Sequence, residues 1–116
     1  MITFFARLNL RILWSWQGCV STWKLEYSFR SWVWANLVSA VLAFVLPLTP
    51  SERAIDLALG LLVLAAELLN TAIEDAVDYI STVEDPLAKR AKDAASAGVA
   101  VTAVAAGVAW CVILIG

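Results

Sequence analysis

The chain has no histidine, only two cysteines and few charged residues, and each shortage narrows the chemistry open to it. Cys19 and Cys111 are too far apart for a metal-ligand motif, so we interpret both as small apolar residues. None of the five glycines belongs to a phosphate-binding loop. A net charge of −2, with basic residues few and scattered, predicts no nucleic-acid partner.

Apolar sequence is what the chain has in excess. Its hydrophobic fraction is 62%, whereas a soluble domain has about 45–50%. Three stretches, 31–48, 54–66 and 94–116, approach the roughly 20 residues that a membrane span needs. The sequence therefore predicts one all-α membrane domain, residues 1–116, with transmembrane helices at about 30–48, 50–80 and 86–115.

The N-terminal segment has another pattern, and we predict a surface helix over about residues 4–28. Arg7 and Arg11 follow the first apolar residues instead of preceding them, which argues against a signal peptide. Apolar side chains share one broad face of the segment: Phe4, Leu8, Ile12, Trp16 and Trp23. This pattern is typical of an amphipathic helix in the membrane interface.

Helix starts and membrane orientation follow from local signals. Thr49, Pro50 and Glu52 form a capping box, and Asp85 with Pro86 opens the last helix. Seven of the eight basic residues precede the first span or lie in the 81–92 loop, and only Arg53 lies in the other loop. Cytoplasmic segments carry the excess of Lys and Arg, so we expect the N-terminus and the 81–92 loop in the cytoplasm.

An acidic stretch, residues 67–78, continues the second span. Helical spacing places Glu67, Asn70, Glu74 and Asp78 along one stripe, with Asp75 on its flank. At about 1.5 Å per residue from the helix start, Glu67 lies roughly 25 Å in and Glu74 roughly 36 Å, against a hydrocarbon core of about 30 Å. A carboxylate inside the membrane disfavours insertion by roughly 2.5–3.5 kcal/mol, so we expect Glu67 to be functional.

The start of the third span adds Lys92 and Asp93 near the same depth, with Ser96 one turn deeper. Carboxylates bind Mg²⁺, a lysine neutralises phosphate charge, and a buried glutamate accepts a proton, which together favour phosphoryl transfer. Two structural alternatives remain at this point. An ion pair between Glu74 and Lys92 would only hold the helices together, and the other acids would be solvated helix ends: Asp75, Asp78 and Glu84.

Three motifs then carry a resemblance to a known family. They are Glu67-Leu-Leu-Asn70-Thr-Ala-Ile-Glu74 followed by Asp78, Ala91-Lys92-Asp93-Ala-Ala-Ser96, and Glu26-Tyr-Ser-Phe29-Arg30. With three spans and this length, the chain resembles the small prokaryotic integral-membrane diacylglycerol kinases over nearly its whole extent. One branch of that family phosphorylates undecaprenol, and the motifs do not separate the two lipids.

The resemblance implies a homotrimer in the bacterial cytoplasmic (inner) membrane, with active sites shared between protomers. It also implies Mg²⁺-dependent transfer of the γ-phosphate of ATP to diacylglycerol, giving phosphatidic acid. Glu67 would be the catalytic base, Glu26 and Glu74 the metal ligands, and Arg30 and Ser96 would lie by the lipid together with Glu67. The implied nucleotide contacts are Arg7, Trp14, Glu26, Asn70, Glu74, Glu84, Asp85, Lys92 and Asp93.

Two tryptophans depart from the family pattern. Trp14 stands where members often have Tyr, which keeps an aromatic surface for adenine. Trp32 stands where some members have an acid, so any role of that acid transfers poorly. We predict an interfacial belt of Trp23, Trp32, Trp34 and Trp110. A proton-coupled exporter, which also uses a membrane-embedded Glu, and a non-catalytic bundle subunit are the alternative functions.

Overall fold

The computed structural model describes residues 2–116, which form four helices and no strand. They are α1 (Ile2–Leu25), α2 (Tyr27–Val45), α3 (Pro50–Ile80) and α4 (Pro86–Ile115). By length and composition, α2, α3 and α4 can each cross a membrane. Of these three helices α3 is the central one, packing against both α4 and α2. The prediction of an all-α chain with three spanning helices is confirmed, and the chain is a multi-pass membrane protein.

The spanning helices expose most of their large apolar side chains. Phe44 on α2, Leu61 on α3 and Val101 on α4 are each more than three-fifths exposed. Among the described residues, the buried apolar set is Phe29, Ala43, Val63 and Val99. Exposed apolar area in water disfavours a fold by about 25 cal/mol per Å². An outer surface of this kind therefore suits lipid tails or other membrane helices.

The predicted starts of α3 and α4 are confirmed. The Thr49 hydroxyl accepts a hydrogen bond from the Glu52 amide at 3.2 Å, and the Thr49 amide donates to Glu52 Oε1 at 2.9 Å. Pro50 occupies the first turn, where its missing N–H removes no helical hydrogen bond. At the start of α4, Asp85 Oδ1 accepts from the Leu87 amide at 2.8 Å.

The first two helices end about three residues earlier than the sequence predicts. We expected a surface helix to about residue 28 and a span to about residue 48, but α1 ends at Leu25 and α2 at Val45. Glu26 is extended (φ −114°, ψ 111°) and is the N-cap of α2, not part of the surface helix. At the other end, Leu46 precedes Pro47, and the proline ring excludes the α conformation at the residue before it.

Two arginines close the C-terminal ends of α1 and α2. Arg30 Nη1 donates to the Trp23 and Lys24 carbonyls at 2.6 and 3.2 Å. Arg53 Nε donates to the Ala43 carbonyl at 2.8 Å. The last carbonyls of a helix lack intrahelical donors and carry the negative end of its dipole, so a guanidinium there is favourable. Each helix is thus joined to the next by a charge-assisted contact.

The register between α2 and α3 is fixed by two hydrogen bonds. Asn36 Nδ2 donates to the Gly60 carbonyl at 2.6 Å, and Arg53 bonds to Ala43 seven residues further along both helices. Both contacts fit one antiparallel register, in which residues of α2 and α3 that lie at the same level have numbers that add up to 96, as 36 and 60 do. This register places Phe29 level with Glu67, and Glu26 level with Asn70.

Gly60 is the point of close approach in this helix pair. A Cβ there would lie 2.5 Å from Asn36 Oδ1, and the Asn36 amide is held by its bond to the Gly60 carbonyl. We expect Gly60→Ala to lower the free energy of unfolding by about 1–3 kcal/mol, because the helices must separate or the bond must break. Thermal unfolding in detergent measures this, with Gly18→Ala as control, since a Cβ at Gly18 meets no atom within 4 Å. Equal stability of the two variants would contradict the close approach.

Candidate functional site

The acidic cluster, which we define as Glu26, Glu67, Asn70 and Glu74, lies where α2 begins beside α3. Glu67 is buried, with 6% of its surface exposed. Glu26 and Glu74 are both close enough to Glu67 to act on it electrostatically. The side chain of Glu26 makes no capping hydrogen bond, so its carboxylate is free to face the cluster. Residues far apart in sequence are thus brought close together.

Asn70 joins the cluster through its amide. Its Nδ2 donates to Glu74 Oε1 at 3.1 Å, while its Oδ1 is buried and has no hydrogen-bond partner. Buried polar atoms nearly always have a partner, so an unpartnered oxygen next to two carboxylates fits a site for a ligand. Hard oxygen donors of this kind are what Mg²⁺ takes, normally one or two carboxylates plus substrate phosphates.

A metal held only by protein side chains does not fit this region. Among the described residues, no group of three or more His, Cys, Asp or Glu side chains is arranged to hold a metal ion. The carboxylates of Glu26 and Glu74 are of the type that binds Mg²⁺ together with substrate phosphates, and their role as its ligands stays a prediction.

An open cleft of about 660 Å³ lies beside the cluster, under the turn that joins α3 to α4. Its charged lining residues are Asp78, Glu84, Asp85, Lys89, Lys92 and Asp93. Four of the predicted nucleotide contacts are among them, namely Glu84, Asp85, Lys92 and Asp93. The structure thus brings these four together around one cleft, close to the acidic cluster but distinct from it.

The ion pair between α3 and α4 differs from the one considered from the sequence. Lys92 Nζ lies 2.6 Å from Asp78 Oδ1, so its partner is Asp78 and not Glu74. Asp78 is therefore not simply a solvated helix end, because it lies opposite Lys92 across the antiparallel helix pair. Glu74 is left with Asn70 as its hydrogen-bond partner.

Both lysines of the cleft are available to an incoming phosphate. Lys89 pairs with Asp93 at 2.6 Å with both side chains mostly exposed, and the Lys92–Asp78 pair is 38% and 53% exposed. Exposed ion pairs contribute only about 0–1 kcal/mol, since water screens them. A phosphate group with more than one negative charge can therefore compete for either ammonium.

The remaining predicted site residues lie outside the cluster and the cleft. Arg7 and Trp14 are exposed on the part of α1 that precedes its contact with α3. Ser96 is exposed one turn beyond Lys92 on α4. Arg30 binds the α1 carbonyls. Their contacts with nucleotide or lipid stay predictions.

Two tryptophans and one aspartate have surroundings that the sequence pattern does not predict. Trp32 and Trp110 are half-buried in the bundle, and their place in an interfacial belt stays a prediction. Trp110 Nε1 donates to Ser39 Oγ at 2.9 Å, and the Trp32 indole lies beside the Glu67 carboxyl group. Asp56 is 3% exposed, and neither of its carboxylate oxygens has a hydrogen-bond partner. A carboxylate in the first turns of a spanning helix was the available signal.

Comparison with known proteins identifies the family. A family model described as prokaryotic diacylglycerol kinase matches residues 13–114. The chain belongs to the prokaryotic diacylglycerol kinase family. A diacylglycerol kinase from Pseudomonas aeruginosa is 41% identical over 85% of this chain and 80% of the relative. The Escherichia coli K12 diacylglycerol kinase is 35% identical over 97% and 92%, and that of Haemophilus influenzae is 39% identical over 81% and 80%.

The match to the prokaryotic diacylglycerol kinase family spans the acidic cluster and the cleft completely. Of the predicted site residues, only Arg7 lies outside residues 13–114. A kinase requires a nucleotide, and the cleft beside the cluster carries the two lysines that suit phosphate. Family membership therefore favours the kinase over the exporter and the non-catalytic bundle considered from the sequence.

Proposed function

We propose that this protein is an ATP-dependent kinase that transfers the γ-phosphate to the hydroxyl of diacylglycerol, giving phosphatidic acid. The single observation that carries the proposal is the family match over residues 13–114. The geometry supports it, because a buried glutamate, two further carboxylates and a lysine-lined cleft lie together at one end of the membrane bundle.

Glu67 is the proposed general base. The lipid hydroxyl oxygen attacks the γ-phosphorus, the bond to the β-phosphate oxygen breaks, and ADP leaves while the hydroxyl proton passes to Glu67. Glu67 suits this step because it is buried on α3, about two helical turns before Glu74 and nearer the middle of the span. The hydroxyl of a lipid whose acyl chains remain in the membrane can reach that position. General-base catalysis of this kind contributes about 10²–10⁴-fold to a rate.

The proposed nucleotide site lies between Glu74 and the cleft under the α3–α4 turn. Glu26 and Glu74 would hold Mg²⁺, which would supply positive charge to the phosphates of ATP. Lys92 exchanges its weak pair with Asp78 for a phosphate oxygen, and Asp93 is released from Lys89 in the same way. The Asn70 amide oxygen has no hydrogen-bond partner and would contact the bound Mg²⁺–nucleotide. Glu84 and Asp85 line the nucleotide cleft.

The proposed function also implies a membrane orientation and an oligomeric state. ATP is cytoplasmic, so the N-terminus and the 81–92 loop face the cytoplasm of a bacterial inner membrane, with α1 as an amphipathic surface helix. We infer assembly as a homotrimer with shared sites from the family resemblance, and the apolar faces exposed on α2, α3 and α4 are compatible with it. Arg7 and Trp14 are exposed on α1, and we assign them to a nucleotide site shared with a neighbouring protomer.

The proposed metal ligands make a specific prediction. We expect Glu26→Gln and Glu74→Gln each to raise the Mg²⁺ concentration for half-maximal activity by roughly tenfold, equivalent to about 1.4 kcal/mol, because each removes one charged oxygen ligand. Saturating Mg²⁺ should restore much of the rate. Asp75→Asn is the control, since Asp75 lines the groove between α1 and α3 instead of the cluster. Unchanged Mg²⁺ requirements in both variants would remove Glu26 and Glu74 as ligands.

The proposed lipid substrate is tested by initial rates of ADP release in mixed micelles containing diacylglycerol or undecaprenol. We expect diacylglycerol to be the faster substrate by at least about tenfold, a discrimination of about 1.4 kcal/mol. A faster rate with undecaprenol would assign the chain to the undecaprenol branch. Proton-linked solute flux in sealed vesicles without ATP would instead support the exporter.

A further inference from the structure

Trp32 is half-buried on α2, close to the proposed base Glu67. It lies on the face of α2 that also carries the buried Phe29 and the Asn36 that bonds to α3. The α2–α3 register places Trp32 level with Leu64, one helical turn from Glu67 along α3. Three residues rise about 4.5 Å along a helix, and an indole side chain can span an axial offset of this size.

Two carboxylates and two aromatic rings lie around Glu67, and of these groups the Trp32 indole is the one that can donate a hydrogen bond to its carboxylate. Glu74 and Glu26 add like charge, Phe29 offers an apolar ring at the same level, and Trp32 offers an indole N–H. Water has little access, because Glu67 is 6% exposed. A buried carboxylate that lacks a donor is strongly disfavoured, and an indole nitrogen can only donate.

We propose that Trp32 is a positioning residue of this kinase, whose indole N–H donates a hydrogen bond to Glu67 and aims its carboxylate at the lipid hydroxyl. The inference rests on the proposed role of Glu67 as the base. With one carboxylate oxygen held by the indole, the other points to the hydroxyl proton in a single orientation. Correct orientation of the accepting atom acts on the chemical step and not on nucleotide binding.

The test separates the N–H from the bulk of the ring. Trp32→Phe keeps an aromatic ring but has no donor, whereas Trp32→Gln loses the ring but keeps an N–H donor. We expect Trp32→Phe to lower kcat roughly tenfold, as for loss of a hydrogen bond to a charged group, with KM for ATP unchanged. Trp32→Gln should recover most of that kcat. Trp34→Phe, at an exposed position on the same helix, is the matched control and should keep full kcat.

If Trp32 acted only by packing, Trp32→Phe would have a higher kcat than Trp32→Gln. Full kcat in Trp32→Phe, or an equal loss of kcat in both variants, would therefore overturn the inference. A second measurement does not depend on Trp32 variants folding. The indole ¹⁵N–¹H resonance of Trp32 should move in Glu67→Gln while that of Trp34 stays in place, and an unmoved Trp32 resonance would also overturn it. A wild-type protein that phosphorylates no lipid would instead refute the proposed function, independently of both outcomes.

Discussion

Replacing Glu67 with Gln should abolish lipid phosphorylation while leaving nucleotide binding intact. Gln has nearly the same shape but cannot accept the proton of the attacking hydroxyl, so we expect kcat to fall by about 10²–10⁴-fold. The proposed metal and nucleotide ligands are other residues, namely Glu26, Glu74 and the charged residues that line the cleft. The Kd for Mg-ATP should therefore change by less than about threefold, which is under about 0.7 kcal/mol.

The measurement combines steady-state turnover with diacylglycerol and direct binding of a fluorescent ATP analogue. Asp75→Asn is the control, because it is an isosteric loss of one carboxylate on the same helix at an exposed position. It should keep turnover near that of the wild type. Near-normal turnover in Glu67→Gln would show that the base is another group, and loss of nucleotide binding would place Glu67 among the metal or nucleotide ligands.

Replacing Asp56 should stabilise the protein. Its carboxylate is 3% exposed, neither oxygen has a partner, and Glu52 one turn earlier adds like charge. A buried carboxylate without a partner opposes folding by several kcal/mol, whether it stays charged or takes up a proton. We expect Asp56→Val to raise the free energy of unfolding by about 1–4 kcal/mol. Asp56→Asn, which removes only the charge, should give part of this gain.

Denaturant or thermal unfolding in detergent measures these differences, with Asp75→Asn as the exposed control that should stay within about 0.5 kcal/mol of the wild type. Turnover per folded molecule should be unchanged, because Asp56 lies three turns from Glu67 along α3. A loss of stability in both Asp56 variants would mean that Asp56 finds a partner in the assembled protein, on another protomer.

Local chemistry made much of this fold predictable. The Thr49 capping box and the Asp85 cap depend on residues within one helical turn, and both appear as expected. The three spans follow from length and apolar content, which do not depend on tertiary contacts. The end of α2 was predicted less well. The expected span ran past Pro47, although the restriction on the residue before a proline stops the helix at Val45.

Long-range pairing was harder to predict from spacing. Helical periodicity placed Glu67, Asn70 and Glu74 on one stripe, but Glu26 reaches their level only through the α2–α3 register. The choice of Asp78 over Glu74 as the partner of Lys92 depends on how α3 and α4 are aligned, which no single helix encodes.

The tryptophans illustrate the same limit. A belt prediction treats Trp as a residue of the membrane interface, and it ignores which face of a helix meets another helix. Trp110 bonds to Ser39 on α2, and Trp32 lies beside Glu67 on α3. Both tryptophans therefore face groups that are distant in sequence.

The transfer of phosphate from nucleotide to lipid is tested most directly by labelling one phosphate of ATP and asking whether the label appears in the lipid. Protein in mixed micelles with diacylglycerol is given ATP labelled at the γ-phosphate or, separately, at the α-phosphate, and the lipid is extracted and separated. We expect label in phosphatidic acid from γ-labelled ATP only, and at least about a hundredfold less of it with Glu67→Gln. Wild-type protein that leaves the lipid extract unlabelled from γ-labelled ATP would contradict it.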